Sequence, residues 1–473
     1  MSYNSNLAYF LSRLQGVSTN YFRLEPQNSS TASANKIIRF HLPSNALLNM
    51  RSLKFMFSAS TAGSSAGGRL PPNIDSLIAR YELSAGGQQI AQGVNDLNVL
   101  AHAKRAVAGD NCDTVLGHPE MVRAVSYVDG FGDSGSSGLA STENESYPTT
   151  DNQTQFCVGA WEGFLGSCEP SIIDTALLPD MVLTIYLADN AVLSSVAGVA
   201  LEGTGSADLT DDGAGNATFS IDNFHLNVET LGMADSVYEN MLERRMAEVG
   251  FLEIPFKQYY SFPDTHTGTT RFSVSTQSLD RVWIAFRDPA YNTQGGAVRI
   301  NGYKKAGAFV DDVSGQTAAD IDIGVSDYDN GGVLGMNEEK YTTKYFNFAE
   351  DPASGQKPTY QLQLNGAYLP QFKATAEDWW CITKNSVPMS VYEPKVKTLD
   401  QYKNNYFVMC ARLNLPDSEA GREISGLDTR GIALNGYLQS TGVDSSTAPN
   451  VMLFAETTAT VRVGAGRAVE VIA

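Results

Sequence analysis

From Ile37 to Leu42 apolar and polar side chains alternate (IIRFHL), and Leu53–Ser58 repeats the pattern. A period of two marks strands with one buried face. The period returns at Met181–Ala188 and Thr218–Thr230. In the second half it recurs at Phe251–Phe256, Thr270–Val274, Arg281–Phe286, Tyr406–Leu413, Ile432–Gln439, Val451–Phe454 and Ala459–Ile472. Met121–Val128 reads as a further strand. Helical patterning is scarce. Asn95–Ala108 is predicted helical, with Asn95 as N-cap and Gly109 ending it; Ala376–Lys384 follows Thr375 as N-cap. The clearest helix is Ser236–Val249, where Ser236 and Glu239 form a capping box and Gly250 closes the C-terminus. Residues 1–33 read as an arm. Leu7, Phe10, Leu11 and Leu14 share one face of a short helix, and a polar run from Gln27 to Asn35 separates it from the body. A helix this short is marginal in water unless it docks. Its four apolar residues are therefore the candidate docking face, against the body, a neighbouring subunit or a membrane surface.

Two stretches repeat each other. Tyr81–Arg105 and Tyr360–Asn385 each predict a strand, a tight turn, a second short strand and a helix. With Gly87 set against Gly366, Leu83 meets Leu362, Ile90 meets Leu369 and Gln92 meets Gln371. The turns are Gly86-Gly87 and Asn365-Gly366, residues that reach positive φ cheaply, as a two-residue hairpin requires. Equivalent hairpins in two β-rich halves suggest a duplicated domain of roughly 200 residues.

Composition sharpens this picture. The chain has 473 residues, ample for two domains with buried cores. Charged residues make up only 18% and Gly is abundant, which favours an all-β protein with many turns. Long polar loops are expected at Asp129–Thr154, Gly198–Asn216 and Val310–Asn337. A net charge of −19 repels phosphate and argues against direct nucleic-acid binding over a large face. No apolar run is long enough for a transmembrane helix. The first residues lack the basic start and apolar core of a secretory signal. The five cysteines are scattered without a CxxC pair and read as free thiols from a reducing compartment.

Catalytic constellations are not apparent. Gly63-Ser64-Ser65-Ala66-Gly67 satisfies G-x-S-x-G, but in a low-complexity loop rather than a strand–turn–helix. The five histidines show no zinc spacing. Asp320, Asp322, Asp327 and Asp329 offer clustered oxygens without the EF-hand register and read as solvated loops. Trp379-Trp380 is a candidate sugar platform, although its helical setting places at least one ring in a core. A carboxylate pair for glycoside cleavage would meet only in the fold. No catalytic residue, metal ligand or cofactor is assigned.

Four stretches, in order, carry a resemblance. They are Glu82–Leu100; Phe224–Tyr260, with its Glu243-Arg244-Arg245 link; Leu362–Trp380, with Leu364-Asn365-Gly366; and Asn405–Arg430, with Leu415-Pro416 and Ser425-Gly426-Leu427-Asp428. The ordered set, about a quarter of the chain, resembles the double jelly-roll major capsid proteins of double-stranded DNA viruses, in the lineage of polinton-like viruses, virophages and nucleocytoplasmic large DNA viruses. The family's Asn-Phe-Ser after the Ser-Gly is absent here.

The resemblance implies an all-β fold of two consecutive eight-stranded antiparallel jelly rolls. The expected division is an arm at 1–33, a first jelly roll at 34–234, a connecting helix at 235–250 and a second jelly roll at 251–473. It implies homotrimers forming pseudo-hexameric capsomers in an icosahedral shell, made inside a host cell. The expected partners are neighbouring capsomers and penton and minor capsid proteins, with the arm facing the interior and holding neighbouring tiles, minor proteins or an inner membrane beneath the shell. A two-domain jelly-roll lectin or fibre protein is the alternative, with a glycoside-cleaving jelly roll behind it.

Overall fold

The computed structural model describes residues 17–62, 68–71, 73–91, 93–109, 155–195, 217–233, 244–289, 297–299, 303–305, 308–310, 341–387, 396, 399–415, 426–430, 434–444 and 449–473. The expected arm helix with Leu7, Phe10, Leu11 and Leu14, the Met121–Val128 strand and the Asp129–Thr154 and Gly198–Asn216 loops lie outside these residues. So do the Gly63–Gly67 pentapeptide, the Asp320–Asp329 carboxylates, most of Val310–Asn337, and Ser236 with Glu239.

Among the described residues each half supplies eight principal strands. The first half has β1 (Val17–Leu24), β2 (Ile37–His41), β3 (Leu47–Ala62), β4 (Ile78–Ala85), β5 (Gln88–Ala91), β6 (Gln155–Val158), β7 (Met181–Leu187) and β8 (Thr218–Met233). They pair as two antiparallel sheets, β1-β8-β3-β6 and β2-β7-β4-β5. The second half has β9 (Phe251–Thr265), β10 (Thr269–Val274), β11 (Leu279–Arg287), β12 (Thr359–Leu364), β13 (Ala367–Ala374), β14 (Val408–Arg412), β15 (Leu434–Thr441) and β16 (Asn450–Gly464). Its sheets run β9-β16-β11-β14 and β10-β15-β12-β13. Raising every label by eight turns one half into the other, and this strand order is that of a jelly roll.

The two hairpins anchor the repeat. Gly86 and Gly87 have φ of 59° and 87°, and Asn365 and Gly366 have 47° and 88°. Two central residues at positive φ give the turn twist that antiparallel strands need. Leu83 pairs with Leu183 on one side and Ala91 on the other; Leu362 pairs with Leu438 and Leu369. After each hairpin comes a helix, α1 (Leu97–Ala108) or α3 (Ala376–Ser386), with the single-turn α2 (Phe164–Ser167) between them in the chain. The Asp378 carboxylate accepts from both the Thr375 N–H and its hydroxyl, at 2.9 and 3.0 Å, so Thr375 caps α3 as expected. α1 differs. Its N-cap is Asp96, left-handed at φ 58°, while the Asn95 side chain accepts from Arg80 instead. Gly109 closes α1 by donating to the Arg105 carbonyl at 3.1 Å. Residues 244–249 are helical, and the Gly250 N–H donates to the Met246 carbonyl.

Three expected boundaries are corrected. The arm does not run to residue 33, because Val17–Leu24 pairs with β8 along its full length and Thr31–Ser33 pairs with β8 further on. Nor does β9 stop at Phe256: it is an edge strand, which tolerates Pro255 and Pro263 where no ladder donor is needed. Finally, Val451–Phe454 and Ala459–Ile472 are not separate strands. β16 runs unbroken through Glu456-Thr457-Thr458, and the break falls at Ala465–Arg467, where Gly466 and Arg467 have positive φ; β17 (Ala468–Ile472) then folds back on β16.

Burial separates the sheets. β2 and β10 alternate exposed and buried positions, whereas every residue of β11 is buried and β16 is buried along most of its length. A strand buried on both faces needs cover on both. The sheet β9-β16-β11-β14 therefore packs on something besides its own core.

At the β9–β10 turn the buried His266 bridges strands, its ring nitrogens 2.8 Å from the Thr270 hydroxyl and 2.5 Å from that of Ser440. Burial pulls its pKa down from 6.5 to about 4, the Asp264 charge opposing. The unfolded chain thus takes up a proton that the folded chain refuses. Stability should fall as pH drops from about 6.5 to about 4 and level off below that. Urea titrations at stepped pH should show this loss, and His266→Gln should show less of it. Identical pH slopes for the two proteins would assign the acid sensitivity elsewhere.

A candidate assembly site at the seam between the sandwiches

The outer face of β11 and β16 carries charge where solvent is absent. Asp280 and Glu456 are buried, and so are Lys257 and Arg281. The Lys257 ammonium donates to Asp280 Oδ2 at 2.6 Å and to Thr458 Oγ1 at 2.9 Å. Thr458 donates to the same Asp280 oxygen at 2.6 Å, and Ser278 donates to the other at 2.8 Å. The Asp280 backbone carbonyl accepts from the N–H groups of Leu413 and Asn414 at 2.8 and 3.3 Å. Isolated buried charges are strongly disfavoured, and this one is compensated at each carboxylate oxygen.

A second pair lies alongside. Arg281 Nη1 donates to Glu456 Oε1 at 2.7 Å, and Trp283 Nε1 donates to Oε2 at 2.9 Å. Arg281 Nε reaches the Ser386 carbonyl at the end of α3, at 3.0 Å. Burial opposes ionisation of Glu456, but the cations Arg281, Lys104 and Lys257 outweigh it and hold the carboxyl below its ordinary range.

The first sandwich meets this sheet along β9. α2 places the ring of Phe164 edge-on to that of Phe256, centroids 5.0 Å apart. The Lys257 backbone N–H donates to Ser167 Oγ at 2.8 Å, and the Glu169 N–H donates to the Pro255 carbonyl at 3.0 Å. The outer edge of β9 is thus capped by the segment after β6. Lys104 of α1 donates to Glu162 at 2.5 Å and to the Tyr259 hydroxyl at 3.0 Å. Burial and neighbouring carboxylates raise the Tyr259 phenol well above its usual range, so it remains a neutral donor to Glu162. Further along α1, His102 stacks on Phe346 at 5.0 Å, and the Val396 N–H donates to the Ala106 carbonyl. Aromatic packing and charge-assisted hydrogen bonds both span this one seam.

The site favours rigidity over reaction chemistry. A small cavity lies at the seam, lined by Tyr81, Leu97, Glu162, Phe164, Phe256 and Tyr259. Among the described residues no three His, Cys, Asp or Glu groups converge to hold a metal. Cys157, Cys168, Cys381 and Cys410 are unpaired; burial pushes the Cys168 thiol up to about 12. Trp379 is fully buried and donates to the Tyr360 carbonyl, while the Trp380 ring sits 4.7 Å from that of Tyr402, so the two indoles form no shared sugar platform. Asp280 and Glu456 are closed off from any glycan. Sequence reasoning missed Lys104, Glu162, Lys257, Asp280 and Glu456. The available signal was charge inside apolar runs, as in LDRVWIAFR and VMLFAETTATVRV.

No protein-family model matches the chain, and no curated protein matches it by sequence. Solved structures do match. PBCV-1 VP54, fitted into a cryo-EM reconstruction of the virophage Sputnik, is 13% identical with a TM-score of 0.51, covering 97% of each chain. A chain of the Sputnik virophage structure by cryo-EM is 11% identical, also at 0.51, covering 97% of this chain and 89% of that one. The Faustovirus major capsid protein aligns at 10% identity and 0.49, covering 94% and 90%. At such identities the likeness is one of fold, and the fold is the double jelly roll.

Asp280→Ala would leave the Lys257 ammonium buried without its counter-charge, an expected loss of about 3–5 kcal/mol. Thr458→Val, which removes the hydroxyl that accepts from Lys257 and donates to Asp280 but leaves the ion pair, should cost about 1–3 kcal/mol. Equilibrium denaturation of both variants checks the ranking; an Asp280→Ala protein as stable as the parent would show that the cluster does not hold the sheet together.

Proposed function

We propose that this chain is the structural major capsid protein of an icosahedral double-stranded DNA virus. Three chains assemble as a homotrimer, and their six sandwiches form a pseudo-hexagonal tile of the virion shell. The observation that carries this reading is the repeat itself. Two sandwiches of identical strand order are fixed side by side by a buried, hydrogen-bonded seam, which suits a rigid building block. The fold likeness to PBCV-1 VP54 over nearly the whole length of both chains supports it. Low charged content suits a surface that packs against copies of itself, and the net charge of −19 suits a shell that does not grip nucleic acid directly. The lectin alternative is weakened by the burial of Trp379. The tile acts without catalysis or cofactor.

Leu7, Phe10, Leu11 and Leu14 are proposed as the docking face of the arm, which would hold neighbouring capsomers, penton or minor capsid proteins, or a membrane beneath the shell. Because β1 begins at Val17, the arm proper is residues 1–16.

Light scattering on the purified protein should give three times the 51.0 kDa chain mass. A monomer would contradict the tile. Deleting residues 1–16 should leave that oligomer intact and lower the yield of assembled particles. Unchanged particle yield would remove the arm from assembly.

A further inference from the structure

The buried Lys257–Asp280 pair has the parts of a condensation site. Lys257 lies on β9 and Asp280 on β11, the two strands that flank β16. Lys257 is the direct cross-strand partner of Thr458. The register between β11 and β16 shifts between Leu279 and Arg281, so Asp280 is the extra residue of a bulge. Bulges re-aim a side chain, and here the carboxylate reaches Thr458 as well as Lys257.

The four side chains divide the chemistry. Lys257 Nζ, a nucleophile once it loses a proton, lies 2.6 Å from Asp280 Oδ2. Thr458 Oγ1 accepts from Nζ at 2.9 Å and donates to Oδ2 at 2.6 Å, a path for a proton from amine to carboxyl. Ser278 Oγ donates to Oδ1 at 2.8 Å, where negative charge gathers when a nucleophile adds to Cγ. The Gly426 N–H donates to Ser278 Oγ at 2.9 Å and so orients that hydroxyl.

Neighbouring pairs lack this combination. Arg281–Glu456 is also buried, but a guanidinium stays protonated and is no nucleophile. The Lys104 and Glu162 side chains are 23% and 27% exposed, and water competes there. For Lys257 and Asp280 the figures are 9% and 0%.

We propose that Lys257 and Asp280 condense to an intramolecular isopeptide bond after the chain folds. One Nζ proton passes through Thr458 to Oδ2. The amine then adds to Cγ, and the negative charge of the tetrahedral intermediate rests on Oδ1 beside Ser278. A second Nζ proton follows the first, the Cγ–Oδ2 bond breaks and water leaves, and the carbonyl reforms at Oδ1. Nothing is oxidised or reduced, and the step happens once per chain. It exchanges two buried charges for a neutral amide, which a dry site favours. Holding the two groups together gives an effective concentration on the order of 10⁵–10⁸ M. The ion pair described above is the state before the bond forms. The product ties β9 to β11 across β16, and it does not depend on the tile reading.

The test weighs the full chain by intact mass spectrometry after folded storage and denaturation. The expected mass lies one water below the sequence mass, and fragmentation of a digest should show a branched peptide joining Lys257 to Asp280. Lys257→Arg should keep its full mass. Thr458→Val, shown to fold by circular dichroism, should lose water roughly a hundredfold more slowly than the parent. A parent at full sequence mass after prolonged storage would overturn the bond. So would a water loss that persists in Lys257→Arg, or a digest without the branched peptide. A Thr458→Val protein that condenses at the parent rate would overturn the relay through that hydroxyl.

Discussion

The carboxylate of Asp280, fully buried and bonded to Lys257, Ser278 and Thr458, is the contact on which the second sandwich and its neighbours depend. It joins three strands across one sheet, since Lys257 lies on β9, Asp280 on β11 and Thr458 on β16. Lys257 faces two ways: its ammonium enters the cluster while its backbone N–H reaches Ser167 in the first sandwich. The Asp280 carbonyl holds the start of the segment after β14. Burying such a pair gains little over apolar packing of equal volume, but losing one partner is costly. It ties β9, β11 and β16 to one another, and the Lys257 backbone N–H holds that sheet in one orientation against Ser167 of the first sandwich.

That orientation explains the contrast in burial. In β2 and β10 one face meets water and the sequence alternates. In β11 and β16 both faces are buried, the Arg281 side chain of β11 reaching the end of α3, and the sequence loses its alternation. The edge of β9, a liability if left open, is closed by the segment after β6, which also accounts for prolines inside a long strand.

Local chemistry made the hairpins and the repeat legible in the sequence. Gly86-Gly87 and Asn365-Gly366 must turn, and the leucines around them keep register with the neighbouring strand. Most half-buried strands were visible for the same reason. The seam was not legible, because its partners are far apart in sequence: Arg281 and Glu456 are separated by 175 positions. Glu456-Thr457-Thr458 therefore looks like a strand break, although its polar groups are satisfied by residues that only the fold brings near. β1 was hidden differently. Its adjacent Tyr21 and Phe22 are both exposed, so no alternation marks it as a strand against a core. The resemblance in sequence rests on four ordered stretches, whereas the fold likeness to PBCV-1 VP54 covers 97% of the chain.

A cryo-EM reconstruction of the purified oligomer tests the central claim most directly. The expected map has six β-sandwiches around a threefold axis, with β9 and α2 meeting inside each chain. A map in which the two sandwiches of one chain lie apart, or in which their relative orientation varies from particle to particle, would contradict a rigid tile built on the Lys257–Asp280 cluster.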